Sequence, residues 1–291
     1  MAVGTAKSAK FHLVLPVNNL PCDIPTEVPI SLSDKVALRQ IRPEDLATIT
    51  ADENFDAVQL KGSTYTITVD DYDVEGDWNV ALSSVLAAAF SLNVYSEEQA
   101  ISVDSAYVIR TLRKRTVSER RDLPHHHHGK KGPFKITKGT DFSSTETLFS
   151  SVQIALEKHR ALALTLSRFN SSLGRVSSQD RLIDLCISLE SVFQSQTEIT
   201  FQFSLFNSLL AETDPAKRHT IFKLLKKLYG QRSNLVHGSK ELDEDWFNEA
   251  WPSLVAIAKA AILRKVDFLA QHDHDAWKEH LEQLALGIFD G

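Results

Sequence analysis

Cysteine is scarce in this 291-residue chain, which has only Cys22 and Cys186. Cys186 lies inside an apolar helical stripe, so a disulfide framework is excluded as the basis of stability and a reducing compartment is the simpler expectation. Paired Cys-x-x-Cys ligands and a Cys–His nucleophile arrangement are missing, as is the Gly-rich loop that cradles nucleotide phosphates. No stretch approaches the ~18 apolar residues of a membrane span. The early run Phe11 to Val17 is short, holds His12 and Pro16, and lacks a small-residue cleavage pattern. No internal repeat is evident. A soluble, cytoplasmic protein with no membrane partner is expected. Its composition, 43% hydrophobic and 24% charged, is that of globular material long enough for two domains with separate cores.

Charge is plentiful but unevenly placed. The chain is net −6, yet Arg110 to Lys138 holds ten Lys or Arg against Glu119 and Asp122, a net of +8 that leaves −14 for the rest. Such a segment can track a polyanion backbone through salt-sensitive contacts from Arg113, Lys114, Arg115, Arg120, Arg121, Lys130 and Lys131. It is equally what a solvated, extended connection requires, and both readings stand.

The first ~110 residues read as mainly β by alternation and composition. Candidate strands are Phe11 to Val17, Val36 to Ile41, Ala57 to Leu60, Tyr65 to Val69, Phe90 to Tyr95 and Ala106 to Arg110. Pro21, Pro25 and Pro29 punctuate the early chain, Lys61-Gly62-Ser63 suits a hairpin, and Asp70 to Asp77 reads as an acidic loop. Pro43-Glu44-Asp45 reads as a helix start, with Pro in the first turn and carboxylates favoured by the helix dipole. A short helix is expected over Ala81 to Ala89. From Ser118 to Ser144 periodicity lapses into Arg, Lys, His, Gly, Pro and Ser, as in a linker.

Beyond the linker a 3.6-residue period dominates. It runs through Leu148 to Leu166, then Leu182, Leu185, Leu189 and Val192, then Ile199, Phe203, Phe206 and Leu210. A fourth helix is expected over Ile221 to Tyr229, stopped by Gly230, and a fifth carries Trp251, Leu254, Val255, Ala258, Ile262 and Leu269. Five amphipathic helices joined by short loops make a bundle. Asp214-Pro215 and Gly238-Ser239 mark breaks, and Asp243 or Asp245 is the expected cap of the fifth helix. The fold class is therefore α+β. Residues 1–117 form a β-rich sensing or docking domain, 118–144 a basic, His-rich linker or loop, and 145–291 a helical bundle.

The stretch Arg232-Ser233-Asn234-Leu235-Val236-His237-Gly238 carries the chemistry. A guanidinium stays charged and matches phosphate oxygens with a planar fork of donors, while an imidazole titrates near neutrality and passes a proton either way. Neither group needs a metal for that work. Lys223, Lys226 and Lys227 share one face of the preceding helix, opposite Ile221, Leu224, Leu225 and Leu228, and read either as RNA contacts or as a solvated lysine face.

These residues resemble the HEPN domains, most closely their Apea-like branch, over roughly Thr147 to Leu269. The resemblance rests on Arg181-Leu182-Ile183-Asp184-Leu185-Cys186-Ile187-Ser188-Leu189-Glu190, on Thr197-Glu198-Ile199 and above all on Tyr229 to Gly238. It implies a helical bundle that homodimerises so that two Arg-x4-His motifs face one cleft, and a metal-independent endoribonuclease in a phage-defence or toxin-like role. Arg232 and His237 would be catalytic, Glu190 would orient the arginine, and Ser233 and Asn234 would add hydrogen bonds. Tyr229 would stack on a base or simply pack. Many nuclease members carry Asn, Asp or His where Ser233 stands, and members silenced by a partner nucleotidyltransferase carry Tyr where Ser239 stands. The other reading is a non-catalytic module that binds RNA or nucleotide, or a regulatory protein, with a partner or ligand at the N-terminal domain.

Other constellations carry less. His125 to His128 are adjacent rather than spaced as in a closed tetrahedral site, and His272, His274 and His280 read as the polar start of a final helix. No structural metal and no cofactor is expected. Glu198, like Glu190, is equally an ordinary acid on a helix surface.

Overall fold

The computed structural model describes residues 10–17, 30–50, 65–73, 78–94, 105–112, 115–122, 142–193 and 198–288. The Ala57–Leu60 strand, the 61–63 hairpin, Arg113, Lys114, Lys130, Lys131 and the four-histidine run lie outside them. Two compact units divide at Ser150 and Ser151.

In the first unit, strands β1 (Lys10–Val17), β2 (Ile30–Ser31), β3 (Val36–Gln40), β4 (Tyr65–Asp73), β5 (Ser105–Leu112) and β6 (Arg115–Asp122) form one sheet in the order β2-β3-β4-β1-β5-β6. Every neighbouring pair is antiparallel. β1 is central, with Val14 opposite both Thr68 and Tyr107. Its pairing with β5 covers only Phe11 to Val14, so Pro16, which has no N–H to donate, lies beyond that ladder. Helix α1 (Pro43–Thr50) starts at the expected proline, and Arg42 Nε donates to the buried Asp45 carboxylate at 2.6 Å. Helix α2 (Trp78–Val94) buries Val85, Ala87, Ala88, Phe90 and Leu92, while Leu38, Ile67 and Val69 supply the strand side of the unit's core.

Three expectations fail in this unit. The strand over Phe90 to Tyr95 is replaced, up to Val94, by the last turns of α2. A helix buried on nearly every side shows no polar stripe, so its period is hidden. The acidic loop at Asp70 is strand up to Asp73, and the aperiodic segment from Ser118 begins with the rest of β6, where Glu119 pairs Val108 and Arg120 pairs Tyr107. β6 ends the strand order, and an edge position tolerates the charges that masked it.

The second unit is helical. Helix α3 (Phe142–Lys158) enters it and is followed by α4 (Leu162–Gly174), α5 (Ser178–Phe193), α6 (Ile199–Ala211), α7 (Pro215–Val236), α8 (Glu244–Gln271) and α9 (His274–Ala285). The single helix expected over Leu148 to Leu166 is thus two. Buried Leu156 is followed by buried Leu162, a gap of six that leaves His159 and Arg160 where a continuing stripe requires apolar residues. α8 starts as expected, with Asp243 Oδ1 accepting from the Trp246 amide at 3.1 Å. Its buried face is Phe247, Leu254, Ala258, Ile262, Val266 and Leu269.

α5 packs against α4, α6, α7 and α8. Its C-terminal carbonyls would be orphaned in such a place, and side chains of its neighbours take them up. Asn207 Nδ2 reaches the Leu189 carbonyl at 3.3 Å, Lys265 Nζ the Ser191 carbonyl at 2.6 Å and Trp277 Nε1 the Val192 carbonyl at 2.7 Å. Among the described residues no helix is long and apolar enough to cross a membrane.

Candidate functional site

Helix α7 positions the site. Asp214 caps its start, accepting from the Ala216 amide at 2.8 Å, and Pro215 takes the first position, where its missing N–H is no loss. The helix does not stop at Gly230. It runs 22 residues to Val236, because one exposed glycine costs only about 1 kcal/mol against alanine. What stops it is Gly238, whose φ of +64° is the left-handed conformation that glycine adopts freely. The Ser239 amide donates to the Asn234 carbonyl at 2.9 Å and the Gly238 amide to the Leu235 carbonyl at 3.1 Å, the paired bonds of a Schellman cap. The Ser239 hydroxyl also reaches Asn234 Oδ1 at 3.2 Å, so Asn234 serves the cap.

The motif therefore forms the last turns of a helix rather than a turn after it. Leu225, Leu228 and Tyr229 are the buried stripe of α7, and Arg232 continues that stripe one turn on. On α5, Leu182 and Cys186 lead to Glu190 in the same way. Two apolar stripes thus converge and end in opposite charges, with Arg232 Nη2 3.6 Å from Glu190 Oε1 and both side chains about a quarter exposed. At that length the pair is coulombic rather than hydrogen-bonded. Arg232 Nε and Glu190 Oε1 are buried with no hydrogen-bond partner, so the guanidinium's donors are left largely uncommitted.

Tyr229 and Cys186 complete the cluster. Burial pushes the Tyr229 phenol up to about 12, helped by the charge of Glu190 and a hydrogen bond to it and opposed by Arg232. Its ring lies 5.0 Å from that of Phe203 and 5.5 Å from the Arg232 guanidinium carbon. With its face against the bundle, Tyr229 is a packing residue rather than a platform for a base. Burial raises the Cys186 thiol, and Glu190 adds to the shift. Cys186 read in sequence as core alone; its four-residue spacing from Glu190 was the available signal.

His237 is the C-cap of α7, with φ −90° and ψ 0°; it is exposed, and among the described residues its side chain has no hydrogen bond or ion pair. It lies five positions past Arg232, which on a helix turns it by about 140° from that side chain. Arg232 and Glu190 are brought together; Arg232 and His237 of one chain are not. Ser233 is half-buried.

α7 also carries six Lys or Arg and no Asp or Glu, a density that counting along the whole helix would have shown. Lys223 and Lys226 are exposed, and Lys227 Nζ stands 4.4 Å over the Trp246 ring. Arg115 pairs with Leu112 in the sheet of the first unit. No group of three or more His, Cys, Asp or Glu among the described residues is placed to hold a metal ion. His272 and His280 flank Phe268, with ring centroids at 4.4 and 4.7 Å, as packing partners at the α8–α9 junction. Comparison of the chain with family models, with curated proteins and with solved structures returned no match.

Proposed function

We propose that this chain is a metal-independent endoribonuclease of the HEPN type. The observation that carries the reading is a wholly cationic helix that ends in an exposed histidine and bears a part-exposed arginine steadied from behind by a carboxylate. In this scheme Arg232 binds the scissile phosphate and offsets its developing charge. His237 takes the proton from a ribose 2′-hydroxyl or returns one to the leaving oxygen, work usually worth ~10²–10⁴ in rate. The products carry 2′,3′-cyclic phosphate, and DNA, lacking the hydroxyl, is left intact. Lys223, Lys226 and Lys227 hold the RNA backbone. As the resemblance to HEPN domains implies, the phosphate meets Arg232 and His237 in a cleft shared by two copies of the chain, and the active species is a homodimer; the divergence of Arg232 and His237 around α7 is compatible with such a cleft. A defence or toxin-like role, with the sheet unit sensing or docking, accompanies this reading.

The Glu190–Arg232 pair favours one rival, a non-catalytic RNA- or nucleotide-binding bundle in which that pair only knits α5 to α7. Incubation of labelled RNA with wild type, His237→Ala and Arg232→Ala in EDTA separates them. Cleavage by wild type alone supports the nuclease; equal inertness of three folded, dimeric proteins supports the rival.

A further inference from the structure

A second arginine cluster stands on the other side of α5. Arg168 lies on α4 and Arg175 seven residues later, just past that helix's end, which places both on the side toward α5. Asp184 faces them, one turn before Ser188, whose hydroxyl bonds the Thr165 carbonyl of α4 at 2.8 Å. The Asp184 carboxylate is 2% exposed and takes one arginine on each oxygen, Arg168 Nη1 at 2.7 Å and Arg175 Nε at 2.7 Å.

Pinning α4 to α5 requires one cation, and this cluster has two around one carboxylate, a net charge of +1. Among the described residues neither arginine side chain makes another hydrogen bond or ion pair, so one of five N–H donors on each is engaged there. Arg168 Nε is buried with no acceptor, a donor left unanswered by the fold. Both arginine side chains remain about a quarter exposed. Asp184 thus holds two forks in place without neutralising them, the arrangement that recognises oxyanions.

We propose that Arg168 and Arg175, oriented by Asp184, form a binding site for a phosphoryl oxyanion. It is separate from the Arg232 site: Asp184 and Glu190 are six residues apart, about 120° around α5. The proposal does not depend on the nuclease reading.

Isothermal titration calorimetry of the full chain with inorganic phosphate, methyl phosphate and acetate, against sodium chloride at matched ionic strength, tests it. Arg168→Lys and Arg175→Lys keep the charge and lose the fork, with circular dichroism verifying the fold. The expected result is saturable phosphate binding by wild type, weakened at least tenfold in each variant. Binding of inorganic phosphate alone identifies free phosphate as the ligand, and equal binding of methyl phosphate identifies the terminal phosphate of a larger molecule. Absence of saturable heat in wild type, acetate binding as tight as phosphate, or unchanged binding in folded variants overturns the proposal.

Discussion

Asp184 and Glu190 stand on one helix, each facing arginine, and their surroundings differ. Asp184 is almost wholly buried and accepts two hydrogen bonds of 2.7 Å; Glu190 is a quarter exposed and meets Arg232 at 3.6 Å without a hydrogen bond. Burial without partners is costly for a carboxylate, so Asp184 is tied firmly. Glu190, nearer water and hydrogen-bonded by Tyr229, makes no such tie to its arginine, which keeps donors for another acceptor. Near its middle α5 thus holds a buried carboxylate fixed between two arginines, and nearer its C-terminus a looser, part-exposed pair.

Replacing Asp184 breaks the contrast most severely. Asp184→Ala leaves two guanidiniums clustered without their carboxylate, and a loss of about 3–5 kcal/mol in urea unfolding is expected. Glu190→Gln, at the looser pair, should cost no more than about 1 kcal/mol. Comparable losses would mean that the Glu190 pair is also structural.

Lys265 sharpens the comparison at the C-terminal end of α5, as a buried cation with a carbonyl rather than a carboxylate for partner. Burial lowers its ammonium from the usual 10.5 to about 8, so between these values the unfolded chain binds the proton more tightly than the folded one. Stability from this group therefore rises with pH from 8 to 10.5, by on the order of 3 kcal/mol. Because other groups titrate in that window, the measurement is the difference between wild type and Lys265→Met, and that difference should grow with pH by this amount in favour of wild type. A pH-independent difference would place the charge in water.

The two glycines of α7 give the smallest effects, opposite in sign. Gly238→Ala forces a side chain into φ +64° and should cost about 1–2 kcal/mol. At Gly230 an added Cβ meets nothing within 4 Å, and Gly230→Ala should stabilise by about 0.5–1 kcal/mol. Equal signs in thermal unfolding would show that α7 ends elsewhere.

Much of the bundle was legible because one face of each helix is wet. α5, α6 and α8 follow their apolar spacing, and Asp214, Asp243 and Gly238 mark helix ends by chemistry that side chains and backbone dictate locally. Legibility failed where tertiary structure overrides a local signal. α2 is buried on most sides and so lost its period, β6 borrows its register from β5, and Gly230 is a breaker only if the helix around it is weak. At the site, Arg232, His237 and Glu190 were identifiable as chemistry. Asn234 serves a cap through contacts local to the end of α7, but that Tyr229 turns inward and that Arg168 and Arg175 share Asp184 depend on contacts between elements, which no spacing within one helix encodes.

The ribonuclease reading is tested most directly by the ends of its products. Labelled RNA and the same strand with every ribose 2′-O-methylated are incubated with the protein in EDTA, and the termini are resolved by mass spectrometry. The account predicts 2′,3′-cyclic phosphate ends from the unmodified strand, none from the methylated one, and loss of cleavage in His237→Ala. An intact unmodified strand, 3′-hydroxyl ends, or cleavage of the methylated strand would contradict it.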